Sequence, residues 1–207
     1  MPASDSENRF RRAAARFDEA NSADPNRERF DGEDHPKELL YSRRMSAWLE
    51  RLEPQAPEVV RLATRCQHLR RWVIPREKYP QGRTGYLKWR TRLGRFHADE
   101  AEAILREVGY DDTTITRVRS LLLKKNLKHD PQAQLLEDVA CVVFLESYFA
   151  AFSRKHEEKK ILDIVRKTWR KMTPRGREAA LALDLPAETR ALVERAIGEE
   201  GAKNPEW

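Results

Sequence analysis

The chain has 207 residues and a mass of 24.2 kDa, about one domain at the usual ~150 residues per domain. Its 40 Lys and Arg outnumber its 34 Asp and Glu, which gives a net charge of +6. Five Trp, five Tyr and seven Phe exclude a chain that is disordered throughout. The chain contains no run of 18 apolar residues, so no membrane span is predicted. Its first residues lack a basic segment followed by an apolar one, so no secretory signal is predicted. We therefore expect a soluble, cytoplasmic protein whose two cysteines are buried free thiols.

The positive charge is concentrated in one stretch. Between Arg61 and Arg95 there are eleven basic residues and one acid, Glu77, so this stretch carries +10 and the remainder −4. Aromatic residues and the breakers Pro and Gly are interleaved with these bases. One interpretation is a solvated basic face. The other is a segment that binds phosphate, a nucleotide or RNA.

Apolar residues recur at helical spacing along most of the chain. The first repeat predicts a helix over 7–22, and the polar, turn-rich stretch 21–36 predicts a loop. Further helices are predicted over 36–52, 57–72, 86–96, 98–108, 114–123, 132–152, 156–172, 174–183 and 186–197. No segment alternates with period two for long enough to predict a strand.

These elements predict an all-α fold, a single-domain helical bundle over residues 7–197. The helix at about 132–152 is apolar on several faces, so we expect it at the centre of the bundle. Residues 1–6 are predicted to be a disordered N-terminus and residues 198–207 a flexible C-terminal tail.

Four ionisable residues stand in apolar surroundings. His68 lies on an apolar helix, where it is either a core or capping residue or a ligand. His97 precedes an acidic helix segment and could act as cap, base or ligand. Glu137 and Asp138 are adjacent carboxylates in the most apolar helix, where an unpaired charge is too costly. They are either a buried ion pair with an arginine, or a metal ligand and a general base. No P-loop, GxGxxG, HExxH or nucleophile elbow occurs.

Several longer motifs resemble the DUF4202 family of proteins. They are residues 36–42 (PKELLYS), 67–72 (QHLRRW), 74–76 (IPR), 85–90 (GYLKWR), 96–98 (FHA), 136–139 (LEDV) and 167–172 (KTWRKM). The resemblance covers residues 8 to 195 and implies a family without an assigned biochemistry.

A more distant resemblance is to the HD superfamily of metal-dependent phosphohydrolases, which is all-α. Residues 62–68 resemble its helix that ends in a His-Asp pair, 97–101 its later His-bearing helix, and 130–138 the approach to its final Asp. Leu69 stands where the Asp of the pair would be, and no His occupies the first position, near residues 42–43. The resemblance implies a divalent metal (Mn, Fe, Zn or Mg) held by His68, His97 and Asp138.

Our first functional hypothesis is an HD-like, metal-dependent hydrolase that acts on a phosphorylated small molecule or nucleotide. Glu137 and His97 would serve as catalytic groups beside the metal. The substrate-binding residues would be Arg70, Arg71, Trp72, Arg76, Lys88, Trp89 and Arg90, because planar guanidinium groups pair well with phosphate.

The alternative is a non-catalytic module that binds RNA or an anionic metabolite through residues 61–95. A third hypothesis is a scaffold protein whose basic surface binds an acidic partner.

Overall fold

A computed structural model describes the backbone of residues 5–203 and the side chains of residues 5–198, and it confirms the all-α prediction. The helices are α1 (Asp5–Ser22), α2 (Lys37–Leu52), α3 (Glu58–Cys66), α4 (Gly82–Val108), α5 (Asp112–Leu122), α6 (Pro131–Val143), α7 (Phe149–Ser153), α8 (Glu158–Trp169), α9 (Pro174–Leu181) and α10 (Ala187–Lys203). Short 3₁₀ turns occupy Arg71–Val73 and Arg76–Lys78. Within the described range, no helix combines the length and the apolar character needed to cross a membrane.

The prediction that the chain contains no strand is wrong. The segment 21–36, predicted to be a loop, contains a β-hairpin. Strands β1 (Arg27–Phe30) and β2 (Glu33–Pro36) pair antiparallel, with Phe30 opposite Glu33. Asp31 (φ 51°) and Gly32 (φ 80°) form the connecting turn, and two successive positive φ angles suit a two-residue hairpin. The strands are mostly exposed on both faces, so they lack the apolar alternation by which a strand is recognised.

Residues 1–127 form one compact unit and residues 128–207 a second. In the first unit, α3 packs against α1, α2 and α5, and α4 packs against α1 and α5. Its core is built from fully buried side chains on these helices: Ala13, Phe17, Met45, Val60, Leu62, Ala63, Ala98, Ala101, Leu105 and Val118. The unit boundary falls in the basic, polar stretch that interrupts the helical pattern after α5.

Helix α3 ends at Cys66, six residues before the predicted end of its apolar pattern. The chain reverses at Arg70, which has a left-handed backbone with φ 51°. The Arg70 N–H donates to Asn21 Oδ1 at 2.9 Å. A hydrogen bond to α1 therefore stabilises the turn that follows α3, and the spacing of apolar residues in α3 does not predict that turn.

A loop over residues 74–81 leads into α4 and packs on its first turns. Arg76 donates from Nη1 to the Tyr79 carbonyl (2.8 Å) and from Nη2 to the Pro80 carbonyl (2.9 Å). A Cβ atom at Gly85 would lie 1.9 Å from the Pro80 carbonyl oxygen, so glycine is required there. Helix α4 then continues to Val108 through both predicted segments.

In the second unit, α6 packs on α9 and α8 packs on α10. Residues 131–153 are helical throughout, with a π-helical turn at Phe144–Tyr148 between α6 and α7, so the predicted helix at 132–152 is confirmed. Its inward residues include Leu136, Val139, Val142, Val143 and Phe149.

The predicted terminal segments are described only in part. Asp5 and Ser6 belong to α1, and α10 continues through residues 198–203. Residues 1–4 of the predicted disordered N-terminus and 204–207 of the predicted tail lie outside the described residues.

Candidate functional site

A buried carboxylate on α2 connects a histidine and an arginine of the first unit. Glu38 is 5% exposed. Its Oε2 lies 3.3 Å from His68 Nδ1, and its Oε1 lies 3.4 Å from Arg71 Nη1. His68 and Arg71 come from the turn that follows α3, and they retain 29% and 34% side-chain exposure. Both can therefore be reached from solvent while Glu38 holds them from below.

Two buried side chains at the end of α1 fix the backbone of Glu38. Asp24 Oδ2 accepts the Glu38 N–H at 3.0 Å, and Asn21 Nδ2 donates to the Glu38 carbonyl at 3.4 Å. Because Asn21 also accepts the Arg70 N–H, one side chain ties the start of α2 to the turn that carries His68 and Arg71. This network sets the distance between the carboxylate and its partners.

Two further rings surround His68. Tyr41, one turn after Glu38 on α2, stacks on its imidazole with ring centroids 4.2 Å apart and an interplanar angle of 12°. His97 on α4 lies 5.7 Å from it, centroid to centroid. The structure therefore brings together the two histidines of the predicted metal site.

His97 is held in one tautomer. Its Nδ1 lies 2.8 Å from the Leu69 carbonyl oxygen, which can only accept, so Nδ1 carries the proton and donates it. Its Nε2 then bears a lone pair that is buried and has no hydrogen-bond partner among the described residues. Such atoms are rare in proteins, and they often mark a place for water, an ion or a ligand. A histidine whose Nδ1–H is donated to a backbone carbonyl is also arranged as metal-binding histidines are.

The electrostatics keep both imidazoles neutral. Burial lowers the pKa of His97 to about 3, and the neighbouring His68 contributes in the same direction. Burial also lowers the pKa of His68, against the hydrogen bond and charge of Glu38, and the positive charges of Arg71 and Lys124 lower it further. Burial would raise the pKa of Glu38, yet His68 and Arg71 hold it below its usual value, so this carboxylate is charged at neutral pH. A charged carboxylate, two neutral imidazoles and the Arg71 guanidinium thus share one site.

The other predicted phosphate-binding residues are dispersed. Arg70 pairs with Glu100 at 2.9 Å, and Arg76 binds carbonyls of its own loop.

Trp89 is buried, donates Nε1–H to the Ile74 carbonyl, and has the Arg71 guanidinium 5.3 Å from its ring centroid. Trp72 is half-buried, whereas Lys88 and Arg90 lie on the exposed side of α4. Arg71 is the member of this set that pairs with Glu38.

Glu137 and Asp138 have structural partners in the second unit. Glu137 Oε1 lies 3.3 Å from Lys171 Nζ, so its buried carboxylate meets a lysine. Asp138 Oδ1 accepts the Thr173 N–H at 2.8 Å and its Oδ2 accepts the Thr173 hydroxyl at 2.5 Å, at the start of α9. A Cβ atom at Gly176 would lie 2.4 Å from Asp138 Oδ1. Burial raises the pKa of Asp138, and its hydrogen bonds to Thr173 oppose that rise.

The predicted metal site of His68, His97 and Asp138 stays a prediction. Across the part of the chain that the structure describes, no group of three or more His, Cys, Asp or Glu side chains is arranged to hold a metal ion. Both predicted catalytic groups, Glu137 and His97, are buried, at 4% exposure each.

Four residues of this site were missed in the sequence analysis: Asn21, Asp24, Glu38 and Tyr41. The reasoning that singled out Glu137 and Asp138 applies equally to Glu38, an acid next to Leu39 and Leu40 in an apolar helix. Glu38 and Tyr41 also lie in one of the motifs shared with the family. Asn21 and Asp24 gave no such signal, because short polar residues after a helix are typical of any turn.

Comparison with known proteins yields one match. The family model described as "Domain of unknown function (DUF4202)" matches residues 11–193, which cover most of each unit and include every residue of the site. No curated protein and no solved structure matches the chain. The HD resemblance therefore stays a prediction, and the chain belongs to the DUF4202 family.

Proposed function

We propose that this protein is a hydrolase that acts on a phosphorylated small molecule or nucleotide, with its reaction centre at Glu38, His68, His97 and Arg71. The observation that carries the proposal is the pairing of His68 with a buried carboxylate, beside Arg71 and the Nε2 of His97, which has no partner among the described residues. Ionisable clusters of this kind tend to mark functional sites.

In this proposal His68 moves the proton. Glu38 accepts the Nδ1–H of the neutral ring, which leaves the Nε2 lone pair free to act as a base, the arrangement of a base and its orienting carboxylate. As a water oxygen bonds to phosphorus, its proton passes to His68 Nε2. The bond from phosphorus to the leaving oxygen breaks, and that oxygen takes the proton back from His68. The products are an alcohol and inorganic phosphate.

The phosphate group would be held by Arg71, with Lys124 adding charge. The positive charges of both residues lower the pKa of His68, and the same charges favour an anion beside its ring. Glu38 pairs with Arg71 through Nη1, which leaves Nη2 and Nε of the guanidinium to donate to a phosphate oxygen. Tyr41, stacked on His68, restricts the ring to one orientation.

The predicted divalent metal fits this site in part. Neutral His97 offers a lone pair at Nε2, whereas His68 uses Nδ1 toward Glu38 and Nε2 as the base, so His97 is the residue of this site that would hold the ion. When bound, such a metal lowers the pKa of a coordinated water and polarises phosphate oxygens. Asp138, the third predicted ligand, already accepts two hydrogen bonds from Thr173.

Release of inorganic phosphate from nucleoside phosphates and sugar phosphates tests the proposal. We expect His68→Gln to lower kcat by at least about 100-fold, the usual contribution of a general base. His129→Gln, at an exposed histidine, is the matched control and should leave kcat unchanged. If no substrate releases phosphate, or if both variants retain full activity, the proposal is wrong.

Metal analysis of protein purified without chelator tests the cofactor separately. We expect bound Mn, Fe, Zn or Mg in the wild type and less of it in His97→Gln. The metal prediction would be contradicted if the wild type is metal-free and its melting temperature does not change on addition of Mn²⁺, Zn²⁺ or Fe²⁺. The role of His68 as a base is tested separately, by the phosphate-release assay.

A further inference from the structure

We propose that the first half of α4 binds single-stranded nucleic acid. Its binding surface, which we name the α4 basic face, consists of the exposed residues Arg83, Lys88, Arg90, Arg92 and Arg95, together with Tyr86 and Leu87. These residues are distinct from Glu38, His68, His97 and Arg71, so nucleic-acid binding by the α4 basic face does not depend on the proposed hydrolase.

Within the described part of the chain, the cations of the α4 basic face lack acidic partners. By contrast, two other arginines of the first unit are paired, Arg65 with Asp18 at 2.6 Å and Arg119 with Glu102 at 2.6 Å. Among the described residues, no acid lies within ion-pair distance of the five bases of the α4 basic face. Their charge therefore remains available to a ligand, and it accounts for half of the +10 between Arg61 and Arg95.

The packing of α4 leaves these side chains accessible. In residues 82–95 only Gly85, Trp89 and Leu93 are buried, a single stripe at four-residue spacing. Lys88, Arg92 and Arg95, three and four residues apart, line a shallow depression together with Leu87 and Thr91. The bases extend over about 18 Å of helix at 1.5 Å per residue. At 100° per residue, Lys88, Arg92 and Arg95 lie on one side of the exposed surface, and Arg83 and Arg90 lie on the other side with Tyr86. A single strand therefore contacts both groups only where it crosses α4.

Exposed apolar groups beside the cations favour a nucleic acid over a simple polyanion. Tyr86 is 42% exposed and Leu87 is 50% exposed. The Arg90 guanidinium lies 5.8 Å from the centroid of the Tyr86 ring, so the two present a flat, cationic surface. Unpaired bases stack on such surfaces, whereas the bases of a duplex are hidden from them. Single strands are therefore the form of nucleic acid that this chemistry recognises.

Fluorescence anisotropy with a labelled 20-nucleotide U-rich RNA, from 50 to 300 mM KCl, tests the proposal on the full chain. We expect wild-type binding to weaken steeply with salt. K88Q/R92Q/R95Q should weaken it at least about tenfold at 100 mM and reduce the slope of log K against log[salt] by about 2, at ~0.7 for each phosphate that the variant no longer neutralises. K155Q/K159Q/K167Q removes three exposed lysines of the second unit, and it should bind as the wild type does.

Tyr86→Ala distinguishes stacking from charge. It should weaken binding by about tenfold without changing the salt slope, because stacking releases no counterions. Binding that falls equally in both triple variants would overturn the proposal, since net charge alone would then explain it. Equal affinity for polyglutamate or for duplex RNA would also overturn it, by indicating an acidic protein or a duplex as the ligand. Circular dichroism of each variant excludes misfolding as the cause.

Discussion

The Glu38 carboxylate determines the chemistry of the residues around it. It is buried and charged, and it contacts both a ring that can move a proton and a guanidinium that can hold an anion. A buried carboxylate without such partners would take up a proton instead. The same contacts that keep Glu38 charged therefore orient His68 and Arg71 at the surface.

Glu38→Gln should lower the pKa of His68 further below its ordinary value. The carboxylate opposes the effect of burial on His68 by favouring the protonated ring, and the amide removes that charge. Titration of the imidazole C–H signals by NMR measures the shift. Glu50→Gln, at an exposed acid of the same helix, is the control and should leave the His68 titration in place. An unchanged or raised pKa in E38Q would show that Glu38 does not act on His68.

His97 should make the protein less stable as the pH falls from 6.5 towards 3. The folded-state pKa is about 3 and the unfolded value about 6.5, so between these values only the unfolded state binds the proton. His97→Asn can retain the hydrogen bond to the Leu69 carbonyl, but it does not titrate. Urea unfolding at pH 4, 5 and 6 should therefore show a shallower pH dependence in H97N, by up to about 1.4 kcal/mol per pH unit. H129N should follow the wild type; a wild-type slope in H97N would contradict the assignment.

At the scale of elements, the position of α4 depends on contacts that its own sequence pattern does not contain. The start of α4 is fixed where Gly85 meets the Pro80 carbonyl, and its middle is fixed where His97 donates to the Leu69 carbonyl. Between these points the helix buries one stripe and exposes the rest. The helix therefore serves two roles, since it carries a site residue at its centre and a charged surface near its start.

Gly85→Ala should destabilise the protein by about 1–3 kcal/mol, the usual cost of overpacking. The added methyl group would overlap a backbone carbonyl, which cannot move without displacing the loop held by Arg76. Gly94→Ala in the same helix meets nothing within 4 Å, so it should stabilise by about 0.5–1 kcal/mol through helix propensity. Urea denaturation measures both. A neutral G85A would show that the loop gives way at little cost.

At the scale of the whole molecule, the chain divides near Leu127. The segment between α5 and α6 includes Lys124 and Asn126 with positive φ, and Lys125, Lys128 and His129 are exposed. Backbone that is exposed and outside regular helix is where proteases cut first.

Limited trypsin digestion should therefore cleave after Lys125 or Lys128 before it cleaves within the helices. Mass spectrometry of the first fragments would identify the site, and K125Q/K128Q should slow the first cut several-fold. Helix α4 also offers trypsin many exposed arginines. Early cleavage within α4 would show instead that this helix opens more readily than the segment between α5 and α6.

The sequence alone determined the helical elements, the concentration of positive charge between Arg61 and Arg95, and the resemblance to the DUF4202 family. Helical periodicity and charge are local properties, so they can be read from neighbouring residues. The hairpin at 27–36 was missed because its strands are too short and too exposed to alternate.

Only the tertiary structure decided which ionisable residues share a site. It placed Glu38 against His68 and Arg71, and it gave Glu137 and Asp138 structural partners in Lys171 and Thr173. These pairings join residues that are 30 or more positions apart in the chain, and several acids and cations of similar local surroundings could have formed them. The packing of helices selects one set, because it brings only certain side chains within hydrogen-bond distance.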